Sequence, residues 1–257
     1  MTGDVCSSDL FESHVFANLI SGNQRSGIYV EDGAFHQIGG NRIGVGADGS
    51  PLGNGAGIFI NMGNLFVDFV GADITQNVIA YNHGMAIARS RRGEILISKN
   101  SIFDNLQQGI DVGVDGPTPQ RADDQDVPNA PVLFSATYDA AHNATIVRGR
   151  IDSEAYGSGG PTGESGRNIE VYASLRLSGW SAPQAEQSMA IGSIASGHQD
   201  FEIVVPGDLR GMWITATHYV THFLGLVKGN PRGPSAETHR EAFPGDTSEL
   251  SNAVAVH

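Results

Sequence analysis

Asn77-Val-Ile-Ala-Tyr-Asn82 and Asn100-Ser-Ile-Phe-Asp-Asn105 are two copies of one phrase, set 23 residues apart. Earlier versions begin at Asn18 (Asn-Leu-Ile) and Asn41 (Asn-Arg-Ile). Each phrase is followed by a Gly and an aliphatic residue: Gly27-Ile28, Gly57-Ile58, Gly84-Met85 and Gly109-Ile110. Repetition at this period means stacked units, each too small to bury a core of its own. The unit is made of short strands. Ile28-Tyr29-Val30, Ile58-Phe59-Ile60 and Ile95-Leu96-Ile97 carry the two-residue alternation of strands. Gly, Asn, Asp and Ser between them are turn formers.

Equivalent residues of successive coils then stack at the ~4.8 Å strand spacing. Leu19/Ile20, Ile43, Ile79 and Ile102 are expected to form one inward aliphatic column. The repeat Asn is expected at a turn, in the left-handed conformation, passing side-chain hydrogen bonds to the next coil. The interval from Asn41 to Asn77 is 36 residues, one coil plus an insertion placed in the Gly-rich arc 44–57. No Gly-Lys-Ser/Thr follows that arc, so it is not a phosphate loop.

These residues carry a family resemblance. Asn41-Arg-Ile-Gly44, Gly46-Ala-Asp-Gly-Ser-Pro-Leu-Gly-Asn-Gly-Ala-Gly-Ile-Phe-Ile60, the two Asn phrases and Gly109-Ile-Asp-Val-Gly-Val-Asp-Gly-Pro-Thr-Pro119 resemble the right-handed parallel β-helix repeat proteins of bacteria. In that group such a Gly-Ile-Asp phrase, an acidic stretch and Pro-Val-Leu (here Pro131-Val-Leu133) mark the end of the helix. The group commonly continues into a β-sandwich, and Trp213-Ile-Thr-Ala-Thr217 and Thr247-Ser-Glu-Leu-Ser-Asn-Ala-Val254 match its closing segments. About 25 extra residues separate those two pieces here, a departure from the pattern. The resemblance implies an all-β chain: about four to five coils of right-handed parallel β-helix, then an antiparallel β-sandwich. The fold itself hosts lyases, hydrolases, adhesins and structural spikes.

The expected organisation is a β-helix over 11–116, an acidic, Pro-rich linker over 117–130 and an immunoglobulin-like sandwich over 131–257. Seven β-like segments fill the sandwich, at 131–138, 144–152, 168–175, 187–195, 199–206, 212–220 and 249–256, with a long insertion at 221–247. Asp4-Val-Cys-Ser-Ser-Asp-Leu10 reads as the translated sequence of a short-read sequencing adapter. Residues 1–10 are therefore expected to make no specific contacts. On that reading the native start, any signal peptide included, is not observable, and Cys6 is not native.

Gly contributes 34 of 257 residues, and 15 Lys+Arg against 28 Asp+Glu give a formal charge of −13. That balance opposes nucleic acid and anionic membrane, which need a basic footprint. It disfavours a long anionic polysaccharide as well, unless calcium bridges the two. No apolar run spans a membrane. The expected location is extracellular or at the cell surface, the expected partner a polysaccharide or surface glycan.

Asp111, Asp115, Asp123, Asp124, Asp126 and Asn129 offer oxygen ligands in a Gly/Pro-bent segment, as calcium requires. The plainer alternative is a solvated acidic linker capping the helix edge, with no cofactor. Asp68, Asp73, Asp104 and Asp111 are candidate carboxylates should they approach one another across coils. The chain lacks the tripeptide and Asp-pair signatures of hydrolases on this fold, and turn Asp residues in a Gly-rich coil are usually structural. His218 and His222 point to one face of a strand, with His239 a remote third metal ligand; the alternative is surface histidines. His14, His36 and His83 have no paired nucleophile. Trp180, in a turn, is the expected exposed aromatic for stacking on a sugar, while Trp213 and Tyr172 read as sandwich core. The function expected is adhesion or carbohydrate recognition by an exported module; the alternative is a polysaccharide lyase or glycoside hydrolase.

Overall fold

The computed structural model describes residues 5–7, 13–31, 36–62, 71–91, 93–117, 128–151, 165–175, 183–194, 199–223 and 242–257. Among them the first unit runs through β1 (Val5–Ser7), β2 (His14–Phe16), β3 (Leu19–Ile20), β4 (Ser26–Glu31), β5 (His36–Gly39), β6 (Arg42–Ile43) and β7 (Ala56–Asn61). It continues through β8 (Gly71–Thr75), β9 (Val78–Ala80), β10 (Ile87–Arg89), β11 (Glu94–Ser98), β12 (Ser101–Phe103) and β13 (Ile110–Val112). Every third strand pairs in parallel. The three sheets are β1-β4-β7-β10-β13, β2-β5-β8-β11 and β3-β6-β9-β12, which is the right-handed parallel β-helix expected.

Register confirms the inward column. Ile20 lies against Ile43, Ile43 against Ile79 and Ile79 against Ile102, all at most 4% exposed. Leu19 is a correction, because it alternates outward and is 37% exposed. Two further columns close the core: Ile28-Ile58-Ile87-Ile110 and Val15-Ile38-Ile74-Ile97. Burying each Ile side chain stabilises by roughly 1.5–3 kcal/mol. β1 pairs with β4 in the same register, Val5 against Ile28. The expectation that residues 1–10 make no specific contacts is therefore not met at 5–7.

Two asparagine ladders hold the corners. In the first, the Oδ1 of Asn41, Asn77 and Asn100 accepts from the side-chain amide of the Asn one coil earlier. In the second, Asn54, Asn82 and Asn105 do the same, starting from Asn23. The left-handed residue is not the Asn but the one before it: Ala17, Gly40, Gln76 and Lys99 on the first ladder, Tyr81 and Asp104 on the second. The Asn stays free to aim its amide along the axis. Asn54 was not legible as a rung, because the insertion hides its spacing. The first ladder steps 23, 36 and 23 residues, the second 31, 28 and 23. The extra length is thus split, part before Asn54 and part after it, rather than held in one arc. The first part is a small excursion in which Val45 bridges Pro51 and Gly46 N–H donates to the Ser50 carbonyl.

The second unit is an antiparallel sandwich. One sheet is β14 (Val132–Asp139), β15 (Ala144–Arg150) and β18 (Asp200–Pro206). The other is β17 (Gln187–Ile194), β16 (Ser165–Ser174), β19 (Trp213–Phe223) and β20 (Ala242–Thr247), with β21 (Val254–Ala255) also on β19. β20 lies inside the segment read as an insertion. Its Ala-Phe-Pro-Gly-Asp-Thr sequence looks like a turn, and the pairing tolerates Pro244 through an irregular register opposite Val220 and His222.

The central strands of the second sheet, β16 and β19, are buried on both faces. Ile169, Val171, Ala173, Ile214 and Ala216 face the sandwich interior. Tyr172, on the other face of β16, packs into the β-helix core with Ala185. Tyr172 therefore belongs to the helix core, a correction, and Trp213 is half-buried. This sheet closes the lower end of the helix. Thr247 Oγ1 accepts from Ile97 N–H (2.9 Å), a Glu170 carboxylate oxygen from Lys99 N–H (2.8 Å), and Glu249 from Val112 N–H (3.0 Å). Ala185 exchanges both backbone hydrogen bonds with Ile102. Each of the three parallel sheets ends on a group from the sandwich.

Asn77 accepts from Asn41 and donates to Ile38, Thr75 and Asn100. Asn77→Ala leaves several buried groups unpaired and is expected to lose about 3 kcal/mol in urea unfolding. Asn18→Ala, at the exposed end of the same ladder, is expected to lose under about 1 kcal/mol.

Candidate functional site

Inward positions are filled by aliphatics and two corners by Asn ladders, so chemistry is confined to outward positions of the strands. On the first sheet the outward column reads Tyr29, Phe59, Ala88, Asp111. Tyr29 stacks on Phe59 with centroids 5.5 Å apart and planes inclined by 21°. Beside them opens a groove of about 680 Å³, bordered by Gln24, Arg25 and Ser26 towards one end of β4 and by Glu31 at the other. The aromatics are half-buried and Gln24, Arg25 and Glu31 exposed. The column is closed lower down, where Ala88 and Asp111 are buried. Sequence reading missed this groove. The signal was present: Tyr29 and Phe59 each stand two residues after a repeat glycine, Gly27 and Gly57.

The expected sites fare differently. Asp111 is 3% exposed with its Oδ1 lacking a hydrogen-bond partner. Burial pushes its pKa up, the N–H groups of Gly116, Asp115 and Val114 pull it back, and the Asp115 charge adds to the rise. Asp115 is itself met by Arg91 at 3.5 Å. Asn129 lies beside His218. Asp123, Asp124, Asp126, Trp180, Asp68 and His239 fall outside the described residues, as does the side chain of His222. The carboxylates named for catalysis do not come together: Asp73 is on β8 of the second sheet, Asp104 follows β12 of the third, and Asp111 is on β13 of the first. Asp73 is half-buried, and desolvation raises its pKa.

His218 is not a surface histidine. It is fully buried on β19, and neither ring nitrogen has a hydrogen-bond partner. Burial, followed by the Arg167 charge, lowers its pKa to about 3, so the ring is neutral. The folded state thus refuses a proton that the unfolded chain accepts near pH 6.5. Stability from this group is complete above that value and falls with pH between about 6 and 3, by up to about 1.4 kcal/mol per pH unit. Glu170, Asp73 and Asp111, whose pKa values are raised, act in the opposite sense over the acid part of this window. The comparison that isolates the ring is urea unfolding of the native chain and His218→Gln at pH 7 and pH 4.5. The difference in stability between the two proteins is expected to shift by about 2–3 kcal/mol towards the variant at the lower pH.

Residues 6–117 match the family described as periplasmic copper-binding protein (NosD). No curated protein matches the chain. The match covers the coiled unit and stops before the sandwich. Copper needs converging imidazole, thiolate or thioether donors. Among the described residues no three His, Cys, Asp or Glu side chains gather to hold a metal ion. His14 stands opposite Gln37 rather than another histidine, and His218 is sealed inside the sandwich. Among the described residues the His, Cys, Asp and Glu side chains do not supply a copper site. What the parallel sheets, the repeat and the matched segment establish is architecture: a right-handed parallel β-helix of the repeat type, followed in this chain by an antiparallel β-sandwich.

Proposed function

We propose that this chain is a carbohydrate-recognition module of an exported bacterial protein, working in the periplasm or at the cell surface, and that it binds a glycan in the groove beside Tyr29 and Phe59. The observation carrying this reading is the groove itself. Its volume of about 680 Å³ lies within the range of small-molecule clefts, and it pairs an aromatic wall with a few polar groups. The apolar C–H face of a sugar suits such a wall, and its hydroxyls suit Gln24, Ser26 and Glu31. Location outside the cytoplasm is supported by the periplasmic description of the matching family. No helix long and apolar enough to cross a membrane occurs among the described residues.

The alternative of a lyase or glycoside hydrolase finds less support. Hydrolysis needs two carboxylates facing one bond, roughly 5–9.5 Å apart. Among the described residues the groove is lined by one carboxylate, Glu31. A glycan array identifies the ligand, and calorimetry then compares Tyr29→Ala and Phe59→Ala with the native chain. Each variant is expected to bind at least about tenfold more weakly, since stacking and burial at such a wall contribute above ~1.4 kcal/mol. An array on which the native chain binds nothing overturns the reading. Shortened products after prolonged incubation turn it into the enzyme.

Calcium at the helix–sandwich junction is the second reading, and the buried, unpartnered Oδ1 of Asp111 favours it. One cation held at ~10–100 times its Kd stabilises by roughly 1–3 kcal/mol. Calcium is then expected to raise the melting temperature by several degrees more than magnesium does, and chelator to reverse the rise. Equal shifts with both ions leave the junction as an acidic connection without a cofactor.

A further inference from the structure

Among the described residues most arginines are engaged. Arg91, Arg148, Arg150 and Arg210 each face a carboxylate. The Arg42 guanidinium donates to the Gly46 carbonyl, and that of Arg89, fully buried, to the carbonyls of Ser90 and Gly93. Among the described residues Arg25 enters no ion pair, and it stands exposed on the border of the groove. Glu31 borders the same groove six residues further along the strand, roughly 20 Å away in extended chain. The groove therefore carries opposite charges at its two ends, with a guanidinium at one, a carboxylate at the other and the aromatic wall between.

We infer that the groove recognises a glycan carrying an isolated carboxylate, laid with that carboxylate on Arg25 and its neutral sugars along Tyr29 and Phe59 towards Glu31. This rests on the carbohydrate reading above and adds the ligand's charge and direction. A guanidinium meets a carboxylate with two parallel N–H donors, and a neutral hydroxyl uses only part of that fork. Glu31 accepts hydrogen bonds from sugar hydroxyls and repels a second carboxylate. A polyuronate would place charges against Glu31 and approach a protein of formal charge −13. A mainly neutral chain with one acid avoids both costs. The contact is exposed, so it is screened by salt.

The experiment uses the full chain on an array of defined oligosaccharides in three sets: neutral, bearing one uronate or sialate, and polyuronate. The best singly acidic ligand is then titrated beside its neutral counterpart. The native chain is expected to prefer the singly acidic set, and the preference to fall as salt is raised from 50 to 500 mM. In Arg25→Gln the acidic-to-neutral affinity ratio is expected to fall about tenfold, the size of one exposed charge-assisted contact. In Glu31→Gln, polyuronate binding is expected to rise. If glycans bind through Tyr29 and Phe59 but the ratio is unaltered by Arg25→Gln, the charge assignment is wrong and the carbohydrate reading stands. A native chain that prefers polyuronates overturns the assignment too. If no glycan of any set binds, the carbohydrate reading itself fails.

Discussion

The buried asparagine amide is the constraint on which the first unit depends. Asn41, Asn54, Asn77, Asn82, Asn100 and Asn105 are all at most 1% exposed. A buried primary amide is tolerable only when its donors and acceptor are partnered. An inner rung such as Asn77 finds its partners on the rung before, the rung after and nearby carbonyls, and the last rungs, Asn100 and Asn105, accept from the rung before and donate to carbonyls, so no rung is satisfied alone. Coil length is thereby tied to the ladder. Residues are added between rungs, as around Val45–Pro51, and not within the Asn-x-Ile phrases. The left-handed residue before every rung but Asn54 belongs to the same constraint, because it turns the chain while leaving the Asn amide directed along the axis.

A stack built this way has an end problem. The last coil presents unpaired N–H and C=O groups on three sheets and an open aliphatic core. The sandwich answers each need with a different group. Thr247, Glu170 and Glu249 accept the dangling N–H groups, Ala185 extends the third sheet by a bridge, and Tyr172 and Leu250 cover the core. Glu170 shows the tension in this arrangement. Its burial raises its pKa, while Ser188 and the Lys99 N–H favour its charged form. The strands β16 and β19 are consequently buried on both faces, and the two units share an apolar contact through Tyr172 and Leu250.

The sequence made much of this legible, for identifiable reasons. Periodicity located the column Ile20-Ile43-Ile79-Ile102, all four rungs of the first ladder, and Asn82 and Asn105 of the second, because those residues keep a fixed offset from one another. Asn54 was hidden because the extra residues fall on both sides of it. Tyr172 was read as sandwich core because alternation reveals that a strand has two faces, not that both are buried. His218 was read as a surface residue because nothing in its neighbourhood announces the depth of β19. The carboxylates Asp73, Asp104 and Asp111 looked poolable along the chain. In a three-sided coil, however, residues with no common offset from the repeat fall on different sheets.

The same geometry explains why a binding site on this scaffold is local. Inward positions cannot change without opening the core, and ladder positions cannot change without stranding a neighbour's amide. The outward columns are free, and along the first sheet that column changes character at every coil, from Tyr29 and Phe59 to Ala88 and then Asp111. A ligand that reads the aromatic pair meets a closed surface below it. Selectivity must therefore come from groups spread along the strand direction rather than down the stack. Within the groove those groups are Arg25, just before β4, and Glu31, at its far end, of opposite sign. An acidic protein excludes polyanions by its overall field, which acts at long range and weakens with salt. One guanidinium at a short contact can still select a single carboxylate, because at that distance the local pair outweighs the screened field.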